Sequence, residues 1–182
     1  MRVFLKILIF ILGFLMIVFL GFYGYYNYRF NQNLNDKEFN EYMNEIQNTK
    51  NLTENFYEIY EKVNPKSLEN NFFSSVTNGT ECQCRNLARN IQPFVKSASL
   101  RNRFEHLTFE YFLTRKIEKM ASQKQCLNQL AQNFNFVYGA RGIENAAQYY
   151  FEKHLDNLSE QELETLVKMM RNPVLHNPKR KK

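Results

Sequence analysis

Arg85 and Arg89 stand four residues apart in the stretch 85–91, RNLARNI. A helix there sets both guanidinium groups on one edge and Leu87 and Ile91 on another face, and such a basic edge has the geometry to hold a phosphate. An ordinary solvated charged face accounts for the spacing equally well. Further along, Leu100 to about Asn133 is predicted as one long helix or two, interrupted near Ser122. Arg103, His106, Glu110 and Thr114 share one stripe of it, because steps of three, four and seven residues return to the same side. Glu118 projects to a neighbouring side. Most carboxylates of this kind belong to surface ion pairs worth under about 1 kcal/mol, so spacing alone does not single them out.

The elements that must position these groups are helical. No alternating apolar pattern of any length occurs, which predicts an all-α protein. Phe39, Tyr42, Met43 and Ile46 sit at three-four spacing in an otherwise polar stretch rich in Asn, Asp and Glu. One side of that helix can pack back on the domain or lie along a membrane. Phe56, Tyr57, Ile59 and Tyr60 form an aromatic cluster ended by Asn64 and Pro65, with core packing as the default reading.

Ile7 to Tyr26 carries no charge and is long enough in helical form to cross a hydrocarbon layer of about 30 Å. Bulky Phe22, Tyr23, Tyr25 and Tyr26 stand where a cleaved leader would need small residues, and they suit an interfacial aromatic belt instead. Arg2 and Lys6 precede the span, whereas Arg29 and Lys37 beyond it are offset by Asp36 and Glu38. The expected orientation therefore has the N-terminus in the cytoplasm and the remainder outside. Gly13 and Gly21 are too far apart to form a small-residue helix-pairing face.

The net charge of +6 over 182 residues owes four positives to the tail of Lys179, Arg180, Lys181 and Lys182. Such a tail reads as solvated and close to anionic headgroups, and no nucleic-acid partner is expected. Cys82, Cys84 and Cys126 are odd in number and the first two are too close for an easy bridge, so no disulfide framework is expected. Three thiols without a companion histidine motif are a weak zinc ligand set.

The last third carries the most specific pattern. Gly139 and Gly142 allow a tight turn before a helix with Ile143, Ala146, Ala147 and Tyr150 at helical spacing. Ser159 with Glu162 three residues on marks a second helix start, Leu163, Leu166, Val167 and Met170 give that helix an apolar face, and Pro173 stops it. As a whole string, 138–178 resembles the C-terminal motifs of the peptidoglycan glycosyltransferases, the membrane enzymes that polymerise lipid II. That family has, in the same order, a Gly-rich turn, an Ile-Glu-x-Ala-Ala helix, a Tyr-Phe plus Lys, a Leu-Ser helix start and an ending of Pro and then Asn-Pro.

The resemblance implies a mainly helical, lysozyme-like domain and extends more faintly upstream, over roughly 42–178. The family's Gly-Gly-Ser-Thr-Ile-Thr-Gln-Gln-Leu segment falls on Gly79 to Leu87, where Arg85 and Asn86 replace its two glutamines. Its following basic residue is Arg89, similar to a cation that contacts the lipid pyrophosphate. A further pyrophosphate-binding arginine is expected at Asn102, which Arg101 and Arg103 flank. The Arg-Lys-x-x-Glu run falls on His106 to Glu110, keeping only the carboxylate. Leu-Glu falls on Ile117 and Glu118, and the glutamate of an Ile-Leu-Glu-x-Tyr-Leu-Asn piece is Asn128 here. The family's first motif, whose glutamate removes the acceptor hydroxyl proton, falls on Leu52 and Thr53. Leucine accepts no proton, and loss of a general base costs about 10² to 10⁴ in rate.

The resemblance thus implies Glu110 as candidate catalytic carboxylate and Arg85, Arg89, Arg103 and Glu118 as candidate substrate-binding residues. The family reaction needs a base and a cationic or metal clamp on its leaving group, so a divalent metal is possible and no other cofactor is expected. The expected layout is an anchor over 1–30, a polar stalk over 31–50, a glycosyltransferase-like domain over 51–178 and a basic tail over 179–182, in the bacterial cytoplasmic membrane. Expected partners are the membrane, lipid II or another undecaprenyl pyrophosphate-linked glycan, and cell-wall synthesis proteins. A catalytically impaired relative is the first expectation. An active enzyme using Glu54 or Glu110 as replacement base, and a pure envelope interaction module, are the alternatives.

Overall fold

The computed structural model describes residues 2–90, 103–137 and 139–180. Ile91, Pro93, Leu100, Arg101, Asn102, Tyr138, Lys181 and Lys182 lie outside them. Among the described residues the chain is all-α, with α1 Arg2–Asn33, α2 Asp36–Asn48, α3 Glu54–Val63, α4 Phe72–Thr77, α5 Gln83–Asn90, α6 Arg103–Glu118, α7 Gln123–Asn133, α8 Ile143–Phe151 and α9 Glu160–Arg171. An isolated bridge pairs Asn135 with Arg141.

Helix α1 is long and apolar enough to cross a membrane, and its most apolar window, of mean hydropathy 3.0, buries nothing against the protein. Its last turns do pack. Tyr23 meets Phe112 at 5.3 Å between ring centroids, Tyr26 meets Phe104 at 5.2 Å, and Phe30 meets Phe109 at 4.9 Å. These rings join α1 to α6, the helix that carries Glu110.

Two apolar clusters organise the domain. One joins α3, α7, α8 and α9 through Phe56, Leu127, Phe136, Ile143 and Leu163. The other joins α2, α5, α6 and the end of α1 through Phe39, Met43, Ile46, Leu87, Leu113 and Phe30. Helix α7 serves both, with Leu127 and Ala131 in the first and Cys126 in the second. The three-four pattern of 39–46 therefore packs back on the domain, as Phe39, Met43 and Ile46 are fully buried.

The C-terminal elements follow the sequence closely. Gly139 and Gly142 have φ of +81° and +85°. At Gly142, ψ is 148°, a region open essentially to glycine alone, and a Cβ there would lie 2.7 Å from the Gln132 carbonyl oxygen. The Gly142 N–H donates to Phe134 O at 2.8 Å, closing the turn that starts α8. Ser159 and Glu162 form the reciprocal cap of α9. On the buried face of α9 the last turn contributes Met169 at full burial, whereas Met170 is only partly buried. The helix is covered on more than the single stripe its spacing indicates, which brings Met169 in.

The cysteine expectation needs correction. Cys84 and Cys126 form a disulfide, with Cα atoms 5.2 Å apart, while Cys82 is a buried free thiol. The odd count excludes only complete pairing. Packing of α5 across α7 brings together two cysteines separated by 42 residues, a proximity no local spacing reveals.

Candidate functional site

Arg85 and Arg89 lie on one edge of α5, above a face buried through Cys84, Leu87 and Ala88. Helix α6 presents Glu110 to that edge, and one oxygen, Oε1, receives both cations, Arg85 Nε at 2.5 Å and Arg89 Nη2 at 3.1 Å. Arg85 and Glu110 side chains are 16% and 17% exposed, but Arg89 is 49% exposed, so the group opens to solvent on the Arg89 side. Three of the five residues singled out from sequence are thus one constellation.

Helix α4, which the sequence reading did not resolve, holds the inner arginine. Arg85 Nη1 donates to Ser75 Oγ at 3.1 Å, and its guanidinium carbon lies 5.1 Å from the Phe72 ring centre. A planar cation fixed by a carboxylate, a hydroxyl and an aromatic face keeps one orientation. The signal available in the sequence was Asn71, a good helix cap before the pair Phe72 and Phe73.

Glu118 stands apart from this group. Its Oε1 accepts the Phe72 N–H at 2.8 Å, at the start of α4, and its Oε2 accepts from Arg115 Nη1 at 2.8 Å. It fastens α4 to α6. Arg103 begins α6, seven residues and about 10 Å of helix axis from Glu110. It is exposed and has no partner among the described residues.

The position expected to carry the base is apolar. Leu52 is 7% exposed and belongs to the α3/α7/α8/α9 cluster. Its N–H donates to the Tyr57 hydroxyl at 3.1 Å, and that hydroxyl donates to Asn128 Oδ1 at 2.7 Å. Asn128 Nδ2 in turn donates to Asn51 Oδ1 at 3.0 Å. Neutral groups therefore satisfy one another beside Leu52. Glu54 faces solvent and pairs with Lys124 at 3.3 Å, and Glu144, which shares a cavity of about 210 Å³ with Leu52, pairs with Lys50 at 3.6 Å.

The carboxylates near the arginine group do not fit a divalent cation. Glu110 and Glu118 are each engaged by guanidinium, and no cluster of three His, Cys, Asp or Glu side chains occurs among the described residues. The Cys82 thiol, pushed up by burial, stays protonated and is no nucleophile at neutral pH.

Comparison with known proteins gives the same direction as the motifs. The chain is similar to penicillin-binding protein 2a of Streptococcus pneumoniae serotype 2 strain D39 / NCTC 7466, at 33% identity over 69 residues, which is 38% of this chain and 9% of that protein. The same values hold for penicillin-binding protein 2a of strain ATCC BAA-255 / R6. The match covers less than a tenth of the length of these relatives. The family model described as Transglycosylase matches residues 63–182, well over half of the chain, and the chain belongs to that family.

Proposed function

We propose that this protein is a membrane-anchored, peptidoglycan glycosyltransferase-like component of cell-wall synthesis that binds lipid II, or another undecaprenyl pyrophosphate-linked glycan, with little or no turnover. The observations that support the reading are the pair Arg85 and Arg89 converging on Glu110 and the burial of Leu52, the residue on which the family resemblance puts the acceptor base. Two guanidinium groups one turn apart suit the bridging geometry of a pyrophosphate, and the exposed Arg89 is the one free to leave Glu110 for a ligand.

Turnover would require a group to take the acceptor hydroxyl's proton as it attacks the anomeric carbon, and the pyrophosphate to depart with its charge held. The second requirement is met in part by the arginines. The first is not met at Leu52. Glu110 has one oxygen engaged by two cations, so its first role is to orient them. Helix α1 is the anchor in this account, with the domain outside the cytoplasmic membrane, and the Cys84–Cys126 disulfide suits an oxidising compartment. Other wall-synthesis proteins are the natural partners of such a lipid-substrate binder.

The test is titration of undecaprenyl pyrophosphate onto the full chain in detergent. Arg89→Ala should weaken binding about tenfold or more, as loss of a charge-assisted contact does. Glu110→Gln should tighten it, because both cations are released from their internal anion. Binding indifferent to both substitutions overturns the reading, and no binding favours a pure interaction module.

A further inference from the structure

Helix α6 crosses the end of α1 at a steep angle. Phe104 and Phe112, about 12 Å apart along α6, meet Tyr26 and Tyr23, which are only about 4.5 Å apart along α1. Phe30, a turn beyond Tyr26, returns to both Phe109 and Phe112, so the pairing follows no order along either axis. An α1 running along the membrane normal therefore sets α6 close to the plane of the bilayer surface, beside the tyrosines that end the apolar span.

The same contacts give the direction in which each face of α6 points. Phe109 meets Phe30 on the domain side, and Phe112, about 60° round the helix, also reaches Tyr23, seven residues nearer the membrane. Continuing the same way round brings Phe104, Tyr111 and Leu107, which share one stripe by three-four spacing. That stripe faces the bilayer. Phe104 is 54% exposed and Leu107 48%. The face continues onto α4, where Tyr111 meets Phe72 at 5.1 Å and Phe73 at 5.7 Å between ring centroids, and where Phe73 and Val76 are 54% and 55% exposed. Four large apolar side chains left about half in the open on two adjoining helices mark a surface that meets something other than water. Arg103 is exposed at its edge, and the Arg115 guanidinium carbon lies 5.8 Å from the Phe73 ring centre, an arrangement that keeps charge at the rim of an apolar patch.

We propose that Phe104 and Leu107 of α6, with Phe73 and Val76 of α4, seat in the adjoining leaflet of the bilayer as a second membrane contact beside α1. Continuity argues for lipid as the occupant: Phe104 touches Tyr26, so the patch begins where the apolar span ends. The proposal rests on the reading of α1 as a membrane anchor and is independent of pyrophosphate binding. Glu110 lies one turn from Leu107, so a seated patch holds the group of Arg85, Arg89 and Glu110 at the level of the lipid headgroups.

The chain has no tryptophan, so Phe73→Trp, Val76→Trp and Leu107→Trp each carry a single indole. Each full-length variant is reconstituted in vesicles of phosphatidylcholine and phosphatidylglycerol. Bromine on the acyl chains serves as the lipid quencher and iodide on both sides as the water quencher. Blue-shifted emission that bromine quenches and iodide does not is expected at all three positions. Glu160→Trp, at the exposed start of α9, should show the reverse. Leu12→Trp, within the span, reports on the anchor separately. Indoles at 73, 76 and 107 that iodide quenches as fully as the one at 160 overturn the proposal. In that event, bromine quenching of Leu12→Trp means that the seat alone falls, and iodide quenching of it means that the anchor reading falls as well. Bromine quenching at 160 equal to that at 107 also overturns the proposal, since the domain then meets lipid without a preferred face.

Discussion

The two halves of the domain are held together by different means. Around α8 and α9, apolar side chains interlock, a glycine turn closes without strain and a reciprocal cap starts the last helix. Around α5 and α6, a disulfide, aromatic ring contacts and guanidinium–carboxylate pairs supplement a core that includes three fully buried side chains of α2. The half that carries the clearest motif resemblance in the sequence, 138–178, is scaffold. The charged constellation lies in the other. The match to the transglycosylases spans both, and it gives the lineage while the site needs its own argument.

Breaking the cross-link should have the largest effect. Cys84→Ser frees a loop of 42 residues, a change worth about 4 kcal/mol in the chain-entropy description. Hydrogen exchange should accelerate in α5 and leave α8 and α9 protected. Uniform loss of protection would erase the contrast between the halves. In the other half, Gly142→Ala forces a side chain into a glycine-only backbone region against the Gln132 carbonyl, and a loss of about 3 kcal/mol is expected in denaturant melts.

Smaller changes sharpen the same contrast. Ser159→Ala removes the α9 cap at a cost of about 1 kcal/mol, measured as a lower unfolding midpoint with the disulfide intact. The Glu162 carboxyl is held below the usual carboxylate range, first by Lys153 and then by the Ser159 N–H. Its contribution is fully present above the unfolded value of about 4.3 and is lost as pH falls through the lower folded value. Glu162→Gln should therefore flatten the acid limb of the stability profile, and an unchanged limb contradicts the pairing.

Much of the scaffold was legible because its determinants are local. Gly142, Ser159 with Glu162, and the spacing of Ile143, Ala146, Ala147 and Tyr150 each act within a few residues, and each appears where the spacing puts it. The stripe of Arg85 and Arg89 was equally local, but its meaning was not. Which anion the stripe meets depends on packing α5 against α6, and Glu110 lies 21 residues beyond Arg89, across residues outside those described. Glu118 shared the same kind of signal and serves to fasten α4, a six-residue helix with no periodicity to detect. The disulfide is likewise a product of helix packing.

We propose a substrate binder in which Leu52 stands where the family resemblance puts the base. The most direct measurement is polymerisation of lipid II by the purified full chain in detergent, with and without a divalent metal. Lipid II binding with no glycan strands, or only traces, is expected under either condition. Sustained glycan product that Glu110→Gln abolishes would contradict it.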